Sequence, residues 1–66
     1  MTTNLPEKPV YTFREKLAEV KREIALRKNV YPKFVESGRL SQEEADRHIS
    51  VMSAIADDYQ RAVDRQ

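Results

Sequence analysis

Apolar positions in this chain fall into two stripes with helical spacing, separated by the protein's single glycine. Phe13, Leu17, Val20, Ile24 and Tyr31 recur at i, i+4 and i+7 intervals, which at about 100° per residue gathers them on one side of a helix. That spacing predicts a helix over about 13–31. Downstream, Ala45, Ile49, Met52, Ile55, Ala56, Tyr59, Ala62 and Val63 form a second stripe. His48 and Val51 broaden it to more than about a third of the circumference, and the predicted helix covers about 42–64.

Local chemistry marks where each helix begins and ends. In Thr12-Phe13-Arg14-Glu15 and Ser41-Gln42-Glu43-Glu44, a hydroxyl can accept from a free first-turn amide while the glutamate three residues on reaches back to the cap. Glu43, Glu44 and Asp46 also place negative charge where the helix dipole favours it. Pro32 lacks an amide donor, deprives the Lys28 carbonyl of its usual partner and pushes Tyr31 away from helical geometry. A kink or break is therefore expected near Tyr31, followed by one more turn, Lys33 to Glu36, that ends at Ser37-Gly38 in the left-handed conformation open to glycine. Phe34 and Val35 would seal that end.

Two helices joined by a short turn must run antiparallel, so the expected fold is all-α: a helical hairpin spanning residues 12–66 as one domain. Pro6, Pro9 and the run Thr2-Thr3-Asn4 argue against helix in residues 1–11, which are expected to form a flexible or extended arm anchored by Leu5, Val10 and Tyr11. Leu26 and Val30 fall outside the stripe of the first helix, and Ala18 and Ala25 lie on another flank. A single hairpin cannot cover all of these surfaces. The expectation is a homodimer packed as a four-helix bundle, with Phe13, Leu17, Val20, Ile24, Tyr31, Ile49, Met52, Ile55 and Tyr59 supplying core and dimer contacts.

Size and composition support the need for a second copy. A core built from 66 residues seldom supplies more than about 3–5 kcal/mol without a disulfide, a metal or oligomerisation. Cysteine is absent, which removes disulfides and thiolate metal sites. The net charge of +1 hides a division: Arg14 to Lys33 carries seven basic and three acidic residues, Ser41 to Gln66 three basic and six acidic. Basic first helices can therefore lie against acidic second helices. Exposed pairs Glu43/Arg47, Glu23/Arg27 and Asp57/Arg61, each four apart with the acid first, are expected to add a few tenths of a kcal/mol apiece. The start of the chain has neither a basic segment nor an apolar run, and nowhere are there the ~20 apolar residues that cross a bilayer; the expected location is the cytoplasm, away from membranes.

Candidate chemistry is sparse. Glu44, His48 and Met52 stand four apart on the second helix, but one imidazole and a thioether make a poor metal site, and neither metal nor other cofactor is expected. Catalytic residues are not assigned either: there is no nucleophile with its base, no glycine-rich phosphate loop and no carboxylate pair in an apolar setting. Asp57 and Asp58, adjacent on a helix, diverge towards water. The chain is read as a non-enzyme with no small-molecule substrate. Lys21-Arg22-Glu23-Ile24-Ala25-Leu26-Arg27-Lys28 could contact phosphate, yet Glu19 and Glu23 sit among its cations and no recognition helix follows a short turn.

The segments Lys16 to Arg27, Val30-Tyr31-Pro32 and Gly38-Arg39-Leu40-Ser41, with Ala45, Ile49, Met52 and Ile55, resemble a group of short phage and prophage proteins over roughly residues 13–60. That resemblance implies a small protein of a bacterial cytoplasm, expressed from a phage or integrated element, and assigns no activity to particular residues. Proteins of this provenance and size commonly occupy a surface on another protein. The expected function is a protein-protein interaction module that binds and modulates a host or phage protein, with Arg22, Leu26, Arg27, Lys28 and Val30 as the candidate partner-binding residues. The alternatives are a nucleic-acid-binding accessory protein using the basic first helix, or a structural subunit of a phage assembly.

Overall fold

The computed structural model describes residues 9–66, and the part of the expected arm that lies in residues 1–8, including Leu5, is outside them. Two helices follow: α1, Phe13–Glu36, and α2, Gln42–Asp64. Pro9 to Thr12 precede α1 without regular structure. Each helix opens on a complete capping box. The Thr12 amide donates to Glu15 Oε1 at 2.9 Å while the Glu15 amide donates to Thr12 Oγ1 at 3.0 Å. Ser41 and Glu44 repeat the exchange at 2.9 and 3.0 Å. Two of the orphan donors at each N-terminus are thereby satisfied locally, before any tertiary contact forms.

Of the kink or break expected near Tyr31, the break does not occur: α1 runs through Pro32 to Glu36 as one 24-residue helix. Proline still removes the donor for the Lys28 carbonyl, but Lys28, Asn29 and Pro32 are all exposed, so water can satisfy that acceptor. On either side of the ring, packing holds the helical path. Tyr31 meets His48 of α2 edge-on at 6.2 Å, and Phe34 and Val35 are half-buried. Local preference against helix at Tyr31 is outweighed by contacts on both flanks.

Reversal of the chain follows from a Schellman arrangement centred on Gly38. The Gly38 amide donates to the Val35 carbonyl at 3.1 Å and the Arg39 amide to the Phe34 carbonyl at 2.8 Å, satisfying two of the otherwise free acceptors in the last turn of α1. Gly38 has φ +80°, where a side chain is strained and glycine is not. The apolar contact that usually accompanies this motif is replaced by the Arg39 guanidinium, 5.7 Å from the Phe34 ring centroid.

α1 and α2 pack against each other as an antiparallel hairpin. Phe13 at the start of α1 stacks with Tyr59 near the end of α2 at 6.3 Å, and the Lys16 ammonium lies 5.7 and 5.9 Å from the two ring centroids. Among the described residues only Leu17, Ala45 and Val63 are buried, and no large side chain is fully enclosed. Val20, Ile24, Tyr31, Ile49, Met52 and Tyr59 of the expected core stripe are half-buried, whereas Phe13 and Ile55 remain 42% and 36% exposed.

The ion pairs of the described residues all lie within single helices: Glu19–Arg22, Glu23–Arg27 and Asp58–Arg61. The expected Glu23–Arg27 pair is present at 2.7 Å. Arg61 turns to Asp58 instead of Asp57, and Glu43–Arg47 is not among the pairs.

Candidate protein-binding face

Helix phase divides the hairpin into two unlike faces. On one, Leu26, Val30 and Phe34 of α1 follow i, i+4, i+8, and His48, Val51, Ile55 and Tyr59 of α2 follow i, i+3, i+7, i+11. The register joins the two rows, since Glu23, Leu26, Arg27, Val30, Tyr31, Phe34 and His48 line a single open groove. Leu26 is 54% and Val51 47% exposed. At the far end of the same face lie Phe13, Tyr59 and Lys16.

The opposite face is charged. Arg14, Lys21 and Lys28 recur every seven residues along α1, beside Asp46, Asp57 and Asp64 along α2. Lys28 and Asp46 share a groove with Pro32, Val35, Ala45 and Ile49. The large exposed apolar residues of the two helices, Phe13, Leu26, Val51 and Ile55, belong to the first face.

This division separates the five candidate partner-binding residues. Leu26, Arg27 and Val30 share the apolar groove. Arg22, its side chain 80% exposed and paired with Glu19 at 3.3 Å, stands on the outer side of α1. Lys28 belongs to the charged face. His48, Val51 and Phe34 join the site although they were not among the candidate partner-binding residues; the breadth of the α2 stripe was the signal for His48 and Val51, and the i, i+4, i+8 spacing from Leu26 that for Phe34.

Charges within the apolar groove are mutually satisfied. Arg27 Nε donates to Glu23 Oε2 at 2.7 Å with both side chains partly covered. That hydrogen bond raises the Arg27 pKa above its ordinary value. Glu44, one of the three residues in the weak metal-ligand line, is already committed to its capping box. The Ser41 backbone amide, then the Ser41 hydroxyl, lower its pKa from the usual 4.5. Among the described residues, no group of three or more His, Cys, Asp or Glu side chains is placed to hold a metal ion.

The molecule thus belongs, by architecture, to the two-helix antiparallel hairpins. No family model, curated protein or solved structure matches the chain. Among the described residues, no helix is long and apolar enough to cross a membrane.

Proposed function

We propose that this chain is a small non-catalytic protein-binding module of phage or prophage origin, acting in the bacterial cytoplasm on a host or phage protein. The observation that carries the reading is the concentration of exposed apolar side chains on one face, with Leu26, Val30, Phe34 and His48 in a common groove. Exposed apolar surface gathered on one side is characteristic of interaction sites, while scattered single residues are not. A pair of helices presenting such a face offers anchors at i, i+4 and i+8 to a complementary surface.

Affinity capture with the tagged full chain from a bacterial host tests this. Retention of a specific protein should be lost with Leu26→Glu and Val30→Glu together and kept with Lys21→Glu on the charged face. Equal retention by all three would remove the apolar face from the function.

The nucleic-acid reading draws on Lys21, Arg22, Arg27 and Lys28 of the first helix. Arg22 and Arg27 are paired with Glu19 and Glu23, and Lys21 and Lys28 share their face with Asp46, Asp57 and Asp64, which oppose the approach of phosphate. Absence of duplex binding at low salt would end that reading. A structural role in a phage assembly predicts instead a fixed copy number in purified particles.

A further inference from the structure

We infer that the occupant of the apolar face is a second copy of this chain, so that two hairpins meet through Leu26, Val30, Val51 and Ile55 to form a four-helix bundle. This rests on the reading of that face as a protein-binding surface and names its partner.

Three observations support a copy as the occupant. First, the hairpin alone leaves its core unfinished: among the described residues only Leu17, Ala45 and Val63 are buried, and no large side chain is enclosed. With no cysteine and no metal-ligand group among the described residues, association is the remaining way to complete a core of this size. Second, the dimensions fit. A 24-residue helix is about 36 Å long and about 10 Å wide, and two such helices with axes about 10 Å apart present a face of roughly 700 Å². A standard interface uses about 800 Å² per partner. Third, a two-fold interface sets a surface against itself, so a surface of one sign would repel its copy. Here Glu23 and Arg27 neutralise each other within the groove, leaving an apolar surface without a charge of one sign at its centre.

The two-sidedness read from α1 and the excess breadth read from α2 are then one feature. Leu26 and Val30 are not a second surface beside the dimer face. They are part of it, and a foreign partner of this face would have to compete with the second copy.

Sedimentation equilibrium of the full chain, combined with thermal melts over a range of protein concentrations, tests the inference. The expected mass is twice 7.7 kDa, with a melting temperature that rises with concentration. Leu26→Lys with Ile55→Lys should shift the mass towards one copy, whereas Lys21→Glu should leave it at two. Should the face variant fail to fold, single-cysteine variants supply an independent measurement. Val51→Cys should be crosslinked into dimers by a short bis-maleimide in native buffer but not in denaturant, and Asp57→Cys on the charged face should not. One-copy mass at every concentration, with a concentration-independent melt, overturns the inference. So does a dimer that crosslinks through Asp57→Cys and survives the face substitutions. A monomer whose captured protein is lost with Leu26→Glu and Val30→Glu would keep the proposed function and lose only this inference; a dimer that captures nothing would do the reverse.

Discussion

Gly38 isolates the effect of one backbone angle, because a Cβ built there would meet nothing within 4 Å. The whole penalty of Gly38→Ala is therefore conformational, arising at φ +80°, and should lower stability by about 1 kcal/mol in a denaturant titration. Ser41 offers a comparison at the other end of the turn. Its hydroxyl accepts from the Glu44 amide, so Ser41→Ala should cost about 1 kcal/mol with the helix otherwise unchanged. The two capping glutamates also give a defined pH response. Backbone amides, chiefly, lower the pKa of Glu15 and Glu44 in the fold from the usual 4.5. Their contribution is complete above that value and disappears as pH falls through the lowered folded values. Thermal melts from pH 6 downwards should show stability declining below about 4.5, with a shallower decline in Glu15→Gln and Glu44→Gln. An unchanged profile in the double variant would assign the acid sensitivity to other carboxylates.

At the scale of the element, Pro32 is the clearest departure from local preference. Replacing it with alanine restores a donor to the Lys28 carbonyl, and a proline inside a helix costs about 3 kcal/mol. Against this, alanine enlarges the freedom of the unfolded chain by about 0.4–1 kcal/mol. Pro32→Ala should therefore stabilise the hairpin by about 2 kcal/mol, measured by its denaturation midpoint; a loss would mean that the ring itself supports the fold. The capping boxes and the glycine turn were legible in the sequence because each is a contact among residues three to six apart. Whether Pro32 breaks α1 was not legible, because the contacts that keep the helix continuous, such as Tyr31 with His48, join distant parts of the chain. For the same reason the candidate site was only half visible. Periodicity placed Leu26 and Val30 off the first stripe and His48 and Val51 beside the second, but helix phase cannot say which sides of two helices adjoin. Arg61 is a smaller instance: the expected partner was Asp57, four residues before it, and side-chain geometry selected Asp58 instead.

For the whole molecule, the separation into an apolar and a charged face carries the functional reading, and self-association is the property that tests it most directly. Within each hairpin, buried side chains are distributed in a way that bears on its unfolding. Leu17 and Val63, two of the three residues buried among those described, lie at the end farthest from the turn, together with the Phe13–Tyr59 pair and its lysine. Chain ends ordinarily fray and tolerate trimming. Here removal of residues 63–66 takes away a buried valine and should unzip the open end, exposing Leu17 and lowering the melting temperature sharply. Hydrogen exchange on the intact chain should show the corresponding pattern: amides in the last turns of α2 ahead of the C-cap exchange no faster than those midway along the helix. A steep rise in exchange towards the open end would show that the anchor there is weaker than its burial indicates. The tail of α2 thus acts as the latch of the hairpin, and a fusion or tag placed directly after it is more exposed to disturbing the fold than an insertion at the solvent-facing turn.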